Sequence, residues 1–487
     1  MHDAQAHMEE ALARVQALVR TLSADLIETH ISWVLLAGEM AYKIKKPVHL
    51  PFVDYSTLAA RQHFCEEEVR LNRRLAPSLY LGVTRITGTC LSPTLDAPGD
   101  PIEYAVRMRR FAKGALFSER LERQILGHTE LDALAGLLAR FHLRSSPAAD
   151  AFATPKDRRA VALSALDGAA PLFLPSALES LRNWIEASAA ALTPKWKRRL
   201  AQGRVRQCHG DLHLDNVVLL EEGVAAFDCI EFDPALSWID VIDDIAFAVM
   251  DLAARGRRDF AFRLLNAWLD QTGDHAGLDC LAFACVYRAL VRGQVAHMRG
   301  HGEMAHRYAQ AALEWSQPRQ PHLYITTGLP GSGKTFQSQR LLEREGAIRL
   351  RSDVERKRLF GLGAQDSSRA RGLDIYSAEA TARTYAHLLT TARSVLAAGY
   401  QVVIDAAFLL RSERAAARKL AEAANVPFTI VVCEAAPSVL EERLRLRKGD
   451  ASEADVNVLG QLRGVAQPLD SEEMRYALLI PAGASQE

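Results

Sequence analysis

The sequence of 487 residues has no charge excess: 59 basic residues stand against 59 acidic ones. A general nucleic-acid binder carries a basic surplus, so the balance argues against that class and leaves room only for a local basic pocket. There is no C-x-x-C pair, and the seven cysteines are odd in number and scattered. That pattern excludes a disulfide scaffold and points to free thiols in a reducing cytoplasm. No apolar run is long enough to span a bilayer. The opening stretch "MHDAQAHMEEALARVQALVR" has acids where a secretory leader needs a basic start and an apolar core. No membrane association is expected, and the expected location is the cytoplasm. Internal repeats and low-complexity tracts are also missing.

What is present is a folded protein, with 49% hydrophobic and 24% charged residues and a length that calls for two or three domains. Residues 1 to about 29 show apolar positions at helical spacing. "HISWVLLAGEMAYKIKKPV" reads as a hairpin turning at Ala37-Gly38-Glu39. "STLAARQHFCEEEVRLNRRLAP" reads as a helix capped by Ser56 and stopped by Pro77. "LGVTRITG" and "IEYAVRMRRF" are further strands, and Leu116 to Leu200 is helical. A strand-loop-strand around His209 to Phe232 precedes a second helical stretch, Trp238 to Trp315. "WSQPRQP", Trp315 to Pro321, has two prolines and no periodicity, the signature of a linker. Beyond it strands and helices alternate, which implies a parallel sheet.

The sharpest motif lies in this last part. "GLPGSGKT" fits G-x-x-x-x-G-K-[ST] between a strand and a helix, with Gly328, Gly331, Ser332, Gly333, Lys334 and Thr335. Glycines let backbone N–H groups turn inward around phosphates. Lys334 reaches the β- and γ-phosphates, and Thr335 is placed to hold Mg2+. A chance Gly-rich turn is the bland alternative, and the strand-helix context weighs against it. Asp405 ends the apolar strand "YQVVIDAAF", where a carboxylate holds the metal through water. Asp353, in "IRLRSDVERKRLFG", sits at the end of another predicted strand; it is the candidate that orients or deprotonates an acceptor hydroxyl. Arg356 and Arg358 beside it suit an anionic acceptor, while Ser352 or Asp353 could equally cap the next helix. Arg443 and Arg447 fall one turn apart on a later helix, as a lid or as a solvated basic face.

Between two apolar strands, "CHGDLHLDNVVLL" sets Asp211 five positions before Asn216, and Asp228 follows on the next strand. This is the spacing of kinase-like phosphotransfer: the first Asp takes the acceptor's proton, and the Asn and second Asp hold Mg2+ against the ATP phosphates. Such a site needs a strand lysine paired to a helix glutamate. "MAYK" offers Lys43, with Lys45 on the same strand face; "CEEEVRLNRR" offers Glu68 or Glu67. The resemblance of "HGDLHLDN" to protein-kinase-like phosphotransferases implies that adenine lies against backbone near Met108, that Asp244 in "DDIAF" braces the Asp211 loop and that His209 orients it. The Gly-rich loop of protein kinases is absent. His297, His301 and His306 fall on one helix without a matching acid or cysteine cluster and read as a solvated face; Arg288 and Arg292 read as a salt-bridged surface.

The first half, roughly 30 to 300, resembles aminoglycoside phosphotransferases and choline kinases through "HGDLHLDN". The second half, roughly 321 to 487, resembles P-loop kinases of the gluconate-kinase, polynucleotide-kinase and zeta-toxin type through "GLPGSGKT", "RSDVERKR" and "DASEA". The domain order is similar to a bacterial family of fused aminoglycoside-phosphotransferase-like and P-loop ATP-binding proteins. The resemblance implies a multidomain α/β and α+β fold: a two-lobed protein-kinase-like domain over 1–317, and a P-loop NTPase domain with a parallel sheet over 318–487. It implies ATP and Mg2+ as cofactors and a small-molecule acceptor such as a sugar, a nucleoside or an aminoglycoside-like compound, with nucleic acid not expected. The leading expectation is a bifunctional kinase phosphorylating hydroxyl groups. The rivals are a single kinase gated by a nucleotide-binding P-loop domain, and a toxin-like or nucleic-acid-end kinase fused to a kinase-like domain.

Overall fold

The computed structural model describes all residues except 1, 51–52, 149–156, 447–451, 453–455 and 481–487. The chain forms two compact units, Met1–Lys156 with Lys197–Ala248, and Asp157–Trp196 with Val249–Glu487.

The first unit is built on a six-stranded sheet. Its strands are β1 (Asp25–Glu28), β2 (Ser32–Ala37), β3 (Met40–Lys45), β4 (Tyr80–Gly88), β5 (Pro93–Leu95) and β6 (Glu103–Arg109), in the order β1-β2-β3-β6-β4-β5. β2 and β3 form the expected hairpin: Ala37 pairs with Met40 across Gly38-Glu39, and Gly38 has φ 57°. Alternation along β3 decides what each face holds. Ile44 joins Trp33, Leu35, Ile86 and Ala105 under helix α1 (His2–Leu22), which contributes Ala11, Val15 and Leu18. Ala41 faces the other way, with Val106 and Met108, toward Cys65 and Val69 of helix α2 (Leu58–Asn72). Lys43 and Lys45 share that second face, so both point at α2.

Two local expectations are corrected. The first helix ends at Leu22, and Asp25–Glu28 pairs with β2 as an edge strand. Backbone pairing with β2 outweighs the weak helical pattern there. Thr57, not Ser56, caps α2, its hydroxyl accepting from the Ala60 N–H; Ser56 instead bonds Asp54. Further on, helix α3 (His128–Arg144) leads to a two-stranded ribbon of β7 (Val217–Leu220) and β8 (Gly223–Ala226). The Asp211 loop precedes β7, and Asp228 follows β8 rather than lying on it.

The second unit carries a parallel five-stranded sheet. Its strands are β9 (Leu323–Thr327), β10 (Ile348–Arg351), β11 (Val402–Asp405), β12 (Phe428–Cys433) and β13 (Ala477–Ile480), in the order β10-β11-β9-β12-β13. Ile325, Ile348, Leu350, Val402 to Ile404 and Ile430 are fully or almost fully buried, as strands covered on both faces require. Helix α4 (Arg258–Thr272) lies along the β10 edge. The Asn266 amide closes that edge like a neighbouring strand: Nδ2 donates to the Ala347 carbonyl at 2.9 Å, and Oδ1 accepts from the Arg349 N–H at 2.7 Å. Arg349 and Asp270 add an ion pair at 3.2 Å. This packing of a helix from before the linker onto the sheet after it was not legible in the sequence.

Candidate active sites

In the first unit, α2 and β3 bring the lysine-glutamate pair together. Lys43 Nζ lies 2.9 Å from Glu68 Oε1 and 2.5 Å from Asp228 Oδ1. Lys45 Nζ lies 2.7 Å from Glu68 Oε2 and also reaches Glu231. Glu67 bonds Arg70 on the outer face of the helix. Of the alternatives, then, Glu68 is the inward carboxylate, and both lysines reach it. Burial opposes charge on Lys43, but Asp228 and Glu68 outweigh it and hold the ammonium well above its ordinary pKa. Burial likewise raises the Glu68 carboxyl, and the two lysines more than offset this, holding it below the usual carboxylate range.

The Asp211 loop is set by buried polar contacts. Asn216 Nδ2 donates to the Asp211 carbonyl at 2.9 Å and lies 3.3 Å from Asp211 Oδ2. His213 Nε2 lies 3.3 Å from the same carboxylate. His209 is fully buried and bonds the Phe227 carbonyl at 2.8 Å; burial pushes its pKa down, which suits an orienting role. Asp244 accepts from the backbone N–H of His209 and Gly210 and contacts His142 Nε2 at 3.0 Å. Among the described residues, His142, Cys208 and Asp244 come close enough for metal ligation. Asp244 is already engaged by the loop's backbone, and the cluster reads as its brace. Met108 sits on β6, paired with Ala41 and Tyr80 at the end of the strand before Arg109 and Arg110. Asn216 has its amide nitrogen committed to Asp211, so its oxygen and the Asp228 carboxylate are the donors offered to a cation. This hard oxygen set fits Mg2+.

In the second unit, the P-loop joins β9 to helix α5 (Lys334–Glu345). Gly328 has φ 147°, and a Cβ there would stand 2.3 Å from the Cys433 carbonyl oxygen. Gly333, at φ 97°, starts the helix. Lys334 Nζ bonds the carbonyls of Gly328 and Leu329 at 2.8 and 2.9 Å. The Ser332 hydroxyl is buried with no hydrogen-bond partner, an orphaned polar group that a phosphate oxygen would satisfy. Asp405 ends β11 and accepts from Ser338 Oγ, one turn beyond Thr335, at 3.1 Å. Ser338 Oγ bridges the two, also donating to the Thr335 carbonyl at 3.0 Å; Thr335 and Asp405 would supply hard oxygens to a cation. Helix α6 (Ser352–Leu359) carries Asp353 in its first turn; no side chain caps it, so the capping alternative for Ser352 or Asp353 does not hold. Arg356 bonds the Ile375 carbonyl and Thr381, and Arg358 bonds Glu355 and the carbonyls of Leu269 and Asp270 at the end of α4. Both guanidiniums are thus engaged within the fold. Arg443, on helix α7 (Pro437–Leu446), reaches the Gly331 carbonyl at 3.2 Å. Arg447 lies outside the described residues, as does most of "DASEA".

Sequence reasoning missed the supports around these residues: Tyr55 and Glu231 beside Lys45, Asn72 and Tyr80 beside Asp228, and Asn266 at the sheet edge. "FDCIEFD" displayed Glu231, but no spacing rule ties it to a lysine almost two hundred residues earlier.

Residues 59–283 match the phosphotransferase enzyme family, and residues 323–469 match an AAA domain family. The solved choline kinase of Cryptosporidium parvum is similar over 66% of this chain and 90% of its own, with 11% identity and a TM-score of 0.38. A gluconokinase of Sinorhizobium meliloti is similar over 34% of this chain and 85% of its own, with 20% identity and a TM-score of 0.26. The fold and the two family matches define an ATP-dependent kinase, a phosphotransferase-type domain followed by a P-loop kinase domain. The uncharacterized protein Rv2004c of Mycobacterium tuberculosis is 30% identical over 90% of this chain and 89% of its own length, and the chain belongs to that fused family. Among the described residues, no helix is long and apolar enough to cross a membrane.

Proposed function

We propose that the protein is a bifunctional kinase, in which each half, 1–317 and 318–487, transfers the γ-phosphate of ATP to a hydroxyl of a small molecule. Asp211 accepts the acceptor's proton in the first half and Asp353 in the second. Asn216 and Asp228, and separately Thr335 and Asp405, hold Mg2+, which neutralises charge on the phosphates when bound. Lys43, fixed by Glu68, and Lys334, in the loop of Gly328, Gly331, Ser332 and Gly333, bind the phosphates. Met108 marks the adenine side of the first site, and Arg447 belongs to the lid of the second. The observation that carries the reading is the duplication. Each half has its own lysine, its own oxygen donor pair and its own carboxylate on a loop or helix start. A cytoplasmic setting agrees with seven cysteines that form no disulfide.

A regulatory reading has one specific observation in its favour. Arg358, on the helix that carries Asp353, is bonded to the carbonyl end of α4, which lies within the phosphotransferase family match. A nucleotide-dependent shift of α6 would then be felt by α4. The first test is incubation of the full chain with ATP, Mg2+ and a metabolite extract, followed by mass analysis. New phosphorylated species are expected with the wild type. Asp211→Asn should slow its transfer at least ~10²-fold through loss of the general base. Unchanged transfer in that variant would reject Asp211.

A further inference from the structure

Kinase-like sites manage with one strand lysine, and here two share the same buried glutamate. The residue between them, Glu68, is fully buried, with Lys43 on Oε1 and Lys45 on Oε2. Lys43 also holds Asp228. If Lys43 serves the phosphates and Asp228 the Mg2+, each shares its charge with a new partner, and Glu68 draws less compensation from Lys43. A buried carboxylate without a cation is costly. Lys45 removes this difficulty, because it is held in place: it is 1% exposed and bonded on its far side to Glu231.

Glu231 is also the far end of the segment that begins with Asp228. Tyr55, itself fully buried, donates its hydroxyl to Glu231 Oε1 at 2.7 Å. At the near end, the Asp228 N–H donates to Tyr80 Oη at 3.2 Å. Next to it, the Cys229 N–H donates to Asn72 Oδ1 at 2.9 Å, and Asn72 Nδ2 donates back to the Glu68 carbonyl at 2.8 Å. Asp228 itself has φ 64°, a conformation a non-glycine residue keeps only where its surroundings impose it. Both ends of residues 228–231 are therefore tied to α2 and β3, and the tie at the far end passes through Lys45.

We propose that Lys45, Glu231 and Tyr55 form a latch that positions the Asp228 carboxylate for Mg2+ and keeps Glu68 compensated while Lys43 engages the nucleotide. These three are positioning residues, and the inference rests on the reading of this site as one for Mg2+ and ATP. A merely stabilising ion cluster would change unfolding but not the metal requirement, so the two roles separate.

The test uses the full chain carrying Lys334→Ala, which removes the P-loop lysine, and a non-hydrolysable ATP analogue titrated calorimetrically at a series of Mg2+ concentrations. With Glu231→Gln, the Mg2+ concentration for half-maximal binding should rise about 10-fold to 100-fold, the usual effect of removing an outer-shell support. Binding of the analogue without metal should stay the same. Lys45→Met should raise the Mg2+ requirement likewise. Should it fail to fold, Lys45→Met combined with Glu231→Leu removes both charges together, and its Mg2+ requirement decides the matter. A folded Glu231→Gln or paired variant with an unaltered Mg2+ requirement overturns the latch. Absence of any Mg2+-dependent binding with Lys45 and Glu231 intact overturns the site reading itself.

Discussion

Replacing Asp244 by Asn isolates the brace under the Asp211 loop. The carboxylate is fully buried and meets three partners: the N–H of His209 at 3.1 Å, the N–H of Gly210 at 2.9 Å and Nε2 of His142 at 3.0 Å. Asparagine keeps the shape and one oxygen but turns a donor toward at least one backbone N–H. Hydrogen bonds to a charged group contribute about 1.5–3 kcal/mol each. Losing two of them predicts a loss of roughly 3–6 kcal/mol, a large part of a domain's net stability. The sign of the pH dependence follows from the same contacts. Burial raises the Asp244 carboxyl, but the hydrogen bond and charge of His142, with His209 and the Gly210 N–H, bring it down to about 2 from 3.8. A carboxylate with a depressed folded pKa stabilises above its unfolded pKa and loses that effect as pH falls through the folded value. The gap between wild type and Asp244→Asn should hold from pH 7 to about 4 and narrow from there toward pH 2. Native-state hydrogen exchange of peptides spanning 205–250 resolves this unit from the other. A difference below about 1 kcal/mol, or a gap that widens on acidification, would refute the reasoning.

Two other changes read the second unit. Asn266→Leu leaves the Ala347 carbonyl and Arg349 N–H without their partner at the sheet edge, so exchange in residues 347–351 should accelerate in line with about 2–4 kcal/mol; unchanged exchange there would mean the edge does not need the amide. Gly328→Ala puts a methyl 2.3 Å from the Cys433 carbonyl oxygen and demands a positive φ. Calorimetry with ADP should show the P-loop site lost while the chain stays folded, and retained binding at that site would contradict the loop geometry.

Legibility in the sequence followed the range of the interaction. The hairpin at Gly38, the P-loop between β9 and α5, and Asp405 at a strand end are local patterns, and all could be read along the chain. A lysine of β3, Lys43 or Lys45, was readable as the partner of an acid on α2, because strand alternation puts both lysines on one face. The choice between Glu68 and Glu67 was not, since both sit on one turn and only the direction of packing separates them. The strand at Asp25–Glu28 was hidden because its partner β2, rather than its own residues, makes it a strand. Glu231 and Asn266 were illegible for a different reason. Each acts on residues far away in sequence, Lys45 and the β10 edge, and neither carries a motif.

The central claim, two working phosphotransfer sites in one chain, is tested most directly by product analysis of two single variants of the full protein. Asp211→Asn and Asp353→Asn are each incubated with ATP, Mg2+ and the acceptor recovered from the extract, and the products are resolved by mass and by position of the phosphate. Two sites predict that the variants lose different phosphorylation steps and that mixing them restores both. If Asp353→Asn makes every product at the wild-type rate while Lys334→Ala alters the step that needs Asp211, the second site is a regulator and the claim of two enzymes is wrong.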